Sequence, residues 1–228
     1  MDKNLSVAQP VLTAQNLSVE RGGQLLLKDI NLQIARGMIT MVLGHNGAGK
    51  TLLMQALHGI LPPTSGNIQG IERHLQKMVF QKPVMLRRSA EAYFDFVCPD
   101  VSISQKQHWF HRAGLTGRMN SPARALAGGE KQKLSLITAL ASQPELLFLD
   151  EPCANLDFEA TAFVETELLA AREKGVTILM SCHHKAQAER LADYILLLKR
   201  GRIAEYSEKD RFFSDAQSEA AREYLAFS

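Results

Sequence analysis

Lys50 and Thr51 close the run Gly44-His45-Asn46-Gly47-Ala48-Gly49-Lys50-Thr51, which surrounds one cation and one hydroxyl with glycines. Glycines let a backbone wrap close to phosphate oxygens, while its amide N–H groups and a following helix N-terminus supply partial positive charge. Lys50 adds a full charge, and the Thr51 hydroxyl is placed to ligate Mg²⁺, so the run fits the P-loop pattern of a nucleotide phosphate cradle. His45 stands where its ring is free to face solvent. A second reactive element, Asp150-Glu151, follows the apolar run Leu146-Leu147-Phe148-Leu149. Alternation along a strand would send the two carboxylates to different sides, so that one holds a metal shell and the other polarises an attacking water. Asp150 then takes the metal and Glu151 the water, a Walker B arrangement.

These groups need a frame. Residues 38–43 run apolar into the glycine loop and residues 51–57 continue with helical periodicity, which reads as strand, loop, helix. Two more apolar runs, 146–149 and 176–180, are separated by a helical pattern over 158–174, the signature of parallel strands joined by helices. Residues 11–14 and 30–34 alternate apolar and polar around the turn Arg21-Gly22-Gly23, which predicts an antiparallel β edge. Residues 89–142 lack strand runs and read as a mostly helical insertion. Segments 194–198 and 202–206 flank Lys199-Arg200-Gly201 as a hairpin, before a helical tail over 216–225.

The run Leu126-Ala127-Gly128-Gly129-Glu130-Lys131-Gln132 resembles the LSGGQ/E signature of the ABC ATPases and precedes Asp150 at that family's interval. It places two glycines at the start of a helix expected to begin near Glu130, a second anion-binding helix end. The resemblance implies an α/β fold: a RecA-like P-loop core with a parallel sheet, an N-terminal antiparallel β subdomain, and a helical insertion carrying the signature. It implies one ABC ATPase domain over 1–228, with its core at about 1–82 and 144–228 and the helical part at about 83–143. It also implies a head-to-tail dimer, in which Leu126, Ala127, Gly128, Gly129 and Glu130 of one protomer close on the γ-phosphate of ATP held by the other.

Other family elements follow in order. Gln81 resembles the Q-loop glutamine, which contacts Mg²⁺ or water and links the site to the membrane partner. Asp157, in Ala154-Asn155-Leu156-Asp157, resembles the D-loop aspartate of the dimer interface, and His183 the H-loop histidine that meets the γ-phosphate and water. His183 is preferred over His184 because the downstream Ala192-Asp193 pair then aligns with the family pattern, with His184 replacing the usual aspartate. The implied catalytic set is Glu151, His183 and Gln81; the implied metal set is Thr51, Gln81 and Asp150; the implied cofactors are ATP and Mg²⁺.

Two departures and one weaker feature stand out. Ala127 replaces the usual serine and removes one hydroxyl contact, worth about 1 kcal/mol, so closure is expected to weaken without abolishing activity. Where the family offers an aromatic residue to adenine, the chain offers Arg21, which either stacks its guanidinium plane on the base or is a solvated turn residue. Arg87 and Arg88, in residues 82–89, either dock a coupling helix of a transmembrane subunit or lie in an ordinary solvated loop.

Composition sets the outer bounds. The 228 residues, 46% hydrophobic, suffice for a sizeable core, and 26 basic against 24 acidic residues give no general attraction to nucleic acid, which is not expected as a partner. Residues 1–15 do not read as a secretory signal, and no apolar run approaches the roughly 20 residues of a spanning helix. Cys98, Cys153 and Cys182 lack CxxC spacing and read as free thiols of a reducing compartment. His108 and His111, one helical turn apart beside Trp109, lack a third metal ligand and read as a surface helix face. The family resemblance therefore implies a peripheral subunit at the cytoplasmic face of the membrane, with a second ATPase subunit as homodimer partner, permease subunits and a solute-binding protein. The strings at 79–89 and 57–59 resemble importers of oxyanions such as tungstate or phosphate. A soluble ABC protein of DNA repair, translation or cofactor assembly is the competing class; its usual twin domains, coiled coils and basic surfaces are not seen. A nucleotide sensor with little hydrolysis is the third, disfavoured by Glu151 and His183.

Overall fold

The computed structural model describes residues 9–227; the reading of the first residues as lacking a leader falls mostly outside that span. Strands β1 (Leu12–Arg21) and β2 (Gln24–Ile34) form the expected hairpin, turning at Gly22-Gly23 and burying Leu12 and Ala14, then, past a register shift, Leu17 and Val19. Strand β3 (Ile39–Leu43) is buried at every residue and feeds the glycine loop, which opens helix α1 (Lys50–His58). Strand β4 (Ser65–Gly70) then pairs with β1 to give the sheet order β2-β1-β4. This strand and the next, β5 (Gln76–Val79), are not evident in the sequence. The first is a largely exposed polar edge, and the second spans four residues, so neither shows a clear apolar period.

The insertion follows as α2 (Ala90–Val97), α3 (Ile103–Arg112) and α4 (Gly128–Ala141). Ser89 caps α2 by accepting from the Ala92 N–H at 3.1 Å, and Ser102 with Gln105 forms a capping box at the start of α3. These helices close over a cluster of their own, including Phe94, Phe110, Leu134 and Ile137. Burying each such side chain stabilises the segment by about 1.5–3 kcal/mol. Trp109 and Phe163 pack against both this cluster and the core below it.

The chain returns through β6 (Leu146–Leu149), α5 (Phe158–Glu173), β7 (Thr177–Ser181), α6 (Lys185–Leu191), β8 (Tyr194–Lys199) and β9 (Arg202–Glu208). Helices α7 (Lys209–Ser214) and α8 (Glu219–Phe227) close it, the former not foreseen. The second sheet has the order β5-β6-β7-β3-β8-β9, parallel throughout except for the antiparallel β8–β9 pair. Its register places Val79 beside Leu149, Leu149 beside Met180, and Val42 beside Ser181. The loops carrying Gln81, Asp150, His183 and the glycine run therefore leave one edge of the sheet together, the edge at which open α/β sheets bind ligands.

Candidate active site

The glycine loop is held from beneath. Gly44 has φ 146°, and a Cβ there would collide with the Leu198 carbonyl, so only glycine lets β3 turn into the loop against β8. Gly201 is equally confined by the Leu26 carbonyl; its N–H donates to the Ala48 carbonyl at 3.0 Å, and its own carbonyl accepts from the Lys28 N–H at 2.8 Å. The β1–β2 hairpin, the β8–β9 turn and the phosphate loop are thereby tied together. Lys50 is buried, donates to the Gly44 and His45 carbonyls at 2.8 and 3.5 Å, and lies 3.9 Å from the Glu151 carboxylate. Burial lowers its pKa, opposed by the charges of Glu151 and Asp150.

The two acidic residues do separate, but not by strand alternation. Strand β6 ends at Leu149, and Glu151 adopts a left-handed backbone with φ 45°, a costly conformation for a non-glycine residue. Ser181 stabilises it from the neighbouring strand: its Oγ accepts from the Glu151 N–H at 2.8 Å and donates to Asp150 Oδ1 at 2.8 Å. Asp150, itself buried, also accepts from the Thr51 hydroxyl at 2.7 Å. Glu151 swings to the opposite side, where one oxygen accepts from Gln81 Nε2 at 2.8 Å and the other meets His183 Nε2. It is His183 whose ring reaches Glu151, while His184 sits at the N-cap of α6.

One cluster thus gathers Lys50, Thr51, Gln81, Asp150, Glu151 and His183. Asn46 and Gly47 lie exposed at the loop crest, with the His45 ring also exposed, and Ala48 and Gly49 turn inward. Thr51 and Asp150 present hard oxygen donors side by side, a set that fits Mg²⁺, which takes few protein ligands and completes its shell with water and phosphate oxygens. Arg21 is exposed at the end of β1 and makes no ion pair or side-chain hydrogen bond among the described residues. His108 and His111 are exposed on α3. Cys182 and Cys153 are desolvated, which pushes both thiols up to about 11 and leaves them poor nucleophiles.

The signature residues occupy a different neighbourhood. Helix α4 begins at Gly128 instead of near Glu130, because the Glu130 carboxylate accepts from the Ala127 N–H at 2.8 Å and the Lys131 N–H bonds the Ala127 carbonyl at 2.9 Å. Only half a capping box forms, since Ala127 has no hydroxyl to return the bond. The Ala127 bond, supported by Arg118, holds the Glu130 carboxyl below its usual pKa. A Cβ at Gly129 would lie 3.5 Å from Ala160 and 3.8 Å from Leu156, so signature and D-loop segments abut. Asp157 caps α5 through the Ala160 N–H at 2.8 Å, and the adjacent Phe158 is 90% exposed.

Residues 27–154, more than half of the chain, match the family model described as ABC transporter. The chain belongs to this family. A phosphate import ATP-binding protein, PstB of Pyrobaculum aerophilum, is 31% identical over 94% of this chain and 97% of its own length. The aliphatic sulfonates import ATP-binding protein SsuB of Pseudomonas fluorescens is 31% identical over 84% and 75%. The Nod factor export ATP-binding protein I of Cupriavidus pinatubonensis is 30% identical over 88% and 69%. Among solved structures, cbiO1 from Clostridium perfringens, part of the ABC transporter complex cbiONQ, aligns with a TM-score of 0.77 at 26% identity, covering 91% of this chain and 92% of that one. The ATP binding subunit of an ABC transporter aligns at 0.85 over 95% and 99%, at 24% identity, a likeness of fold. As an ABC ATP-binding subunit the chain is an ATPase of a transporter, and no helix among the described residues is long and apolar enough to cross a membrane.

Ser181 is not singled out by the sequence reading, although a hydroxyl directly after the apolar residues 178–180 is a usable signal. Changing it to alanine leaves a buried carboxylate oxygen and the Glu151 N–H unpaired. Ser181→Ala should lower stability by about 2 kcal/mol, read as a drop in thermal midpoint, with a fall in ATPase rate at saturating ATP. An unchanged midpoint and rate would remove Ser181 from the site.

Proposed function

We propose that two copies of this chain bind two ATP molecules head to tail and that their closure and hydrolysis drive solute import through a permease, at the cytoplasmic face of the membrane. The observation that carries this reading is the Glu151 carboxylate, held between His183, Gln81 and Lys50 beside the phosphate loop. The loop amides of residues 44–51 and the Lys50 ammonium bind the β- and γ-phosphates of ATP. Thr51, Asp150 and Gln81 would hold Mg²⁺, which would supply neutralisation of phosphate charge. Glu151 accepts a proton from the water that attacks the γ-phosphorus; the P–O bond to ADP breaks and phosphate leaves. His183 orients the Glu151 carboxylate and the γ-phosphate, and Gln81 ties Glu151 to the insertion that follows.

Each cradle is completed by Leu126, Ala127, Gly128, Gly129 and Glu130 of the second copy, with Asp157 at the interface and Arg21 against adenine. The exposed Ala127 and Gly128 at the start of α4, beside the D-loop segment, support this arrangement. The division into a core at about 1–82 and 144–228 and a helical part at about 83–143 is supported by the separate cluster under α2–α4. Import, a solute-binding protein and an oxyanion substrate such as phosphate or tungstate rest on the relatives named as importers and on the string at 79–89. Vesicles carrying the chain with its permease and solute-binding protein should take up labelled phosphate or tungstate when ATP is supplied. ATP-driven efflux, or uptake of neither anion, would overturn this assignment.

Ala127→Ser should restore a γ-phosphate contact across the interface. At subsaturating ATP the hydrolysis rate should rise about fivefold, the effect of one neutral hydrogen bond. A steady-state rate unchanged from the parent counts against the signature acting in trans.

A further inference from the structure

The tail helix α8 lies beside the phosphate loop, a role that none of the family motifs above assigns to it. Tyr224, 5% exposed, packs its ring on that of His45, with centroids 5.7 Å apart and planes at 60°. The neighbouring Glu223 pairs with Lys199, and this bond, with His45 and Arg200 nearby, holds its carboxyl below the usual range. Lys199 leads into Arg200-Gly201, whose Gly201 N–H donates to the Ala48 carbonyl at 3.0 Å. One helix therefore grips the loop at two points, through the side chain of residue 45 and through the turn that bonds residue 48. On its inner face Tyr224 shares a buried cluster with Leu43, which enters the loop, and with Cys182, the neighbour of His183.

The loop's shape depends on residue 45. The His45 carbonyl accepts from the Ala48 N–H at 3.1 Å, which curves the loop, and from the Lys50 ammonium at 3.5 Å. A ring fixed on Tyr224 restricts the rotation of that peptide before ATP arrives. Preorganisation of this kind raises affinity by lowering the ordering cost of binding, and it leaves the bond-breaking step untouched.

We propose that Tyr224 is a positioning residue for ATP, acting through His45, so that α8 clamps the phosphate loop in its binding shape. The inference rests on the ATP-binding role given above to residues 44–51. The Tyr224 hydroxyl makes no hydrogen bond among the described residues, so the ring alone carries the contact.

The test is a double-variant cycle read by ATP titration and steady-state kinetics on the full chain. Tyr224→Leu, which keeps an apolar group in the core, and His45→Ala, at an exposed position, should each weaken ATP binding about fivefold, as expected for a lost aromatic contact. Each should raise KM with kcat at saturating ATP essentially retained. Tyr224→Phe keeps the ring pair and should bind ATP like the parent, and His45→Phe should bind it more tightly than His45→Ala. The double variant should be no worse than either single change. Multiplying effects, a loss confined to kcat, or Tyr224→Phe as weak as Tyr224→Leu would overturn the clamp. Should Tyr224→Leu not fold, the His45→Ala and His45→Phe pair decides: equal affinities overturn it. The parent is titrated first: no ATP binding there would remove the phosphate-loop role itself, whereas a binding parent with unaffected variants removes only the clamp.

Discussion

Glu151→Gln should slow ATP hydrolysis by at least about 100-fold while leaving ATP affinity near that of the parent, the size expected when a positioned general base is lost. The amide keeps the volume of the carboxylate and still accepts one hydrogen bond, so the His183 and Gln81 contacts are weakened instead of abolished. What disappears is the group able to take a proton from water. The left-handed turn at Glu151 is fixed by its backbone bond to Ser181, which the substitution does not touch, so folding should be unaffected. Measuring phosphate release and nucleotide binding on the same preparation separates chemistry from affinity. A variant that hydrolyses ATP at more than a tenth of the parent rate would move the proton to another acceptor.

Lys50→Ala should act on binding. The ammonium is buried and already satisfied by the Gly44 and His45 carbonyls, so it stands poised as a charge at the floor of the cradle. Charge-assisted bonds to phosphate are worth up to about 3 kcal/mol, and ATP affinity should fall about 100-fold. The change also removes the Lys50 ammonium 3.9 Å from Glu151, while His183 and Gln81 still contact that carboxylate. Equilibrium titration with ATP checks the affinity directly. Affinity within about threefold of the parent would mean that the loop amides alone hold the phosphates.

The parts of this molecule that could be read from sequence are those whose cause is local. The glycine run carries its chemistry in eight adjacent residues, and its flanking strand and helix lie where the periodicity placed them. The parallel strands at 146–149 and 177–181 showed as the apolar runs 146–149 and 176–180 separated by a helical pattern, the second displaced by one residue. Strand β4 did not, because an exposed edge of Ser, Gly, Asn and Gln is held by pairing with β1 and not by its own pattern. The separation of Asp150 from Glu151 was expected from strand alternation, yet its cause is a serine on the next strand. Such long-range bonds leave no periodic trace. The same holds for the contact between Tyr224 and His45, far apart in the chain, whereas α4 takes in both signature glycines through a local bond, Ala127 to Glu130, that the missing capping serine hides.

The central claim is that residues 44–51 form only half of each ATP site and that residues 126–130 of a second copy form the rest. Light scattering on the Glu151→Gln chain, purified alone, with ATP and Mg²⁺ or with ADP and Mg²⁺, tests it most directly. The mass should double with ATP and return to that of one chain with ADP. A single-chain mass at saturating ATP, or a dimer that forms equally without nucleotide, would contradict the shared site.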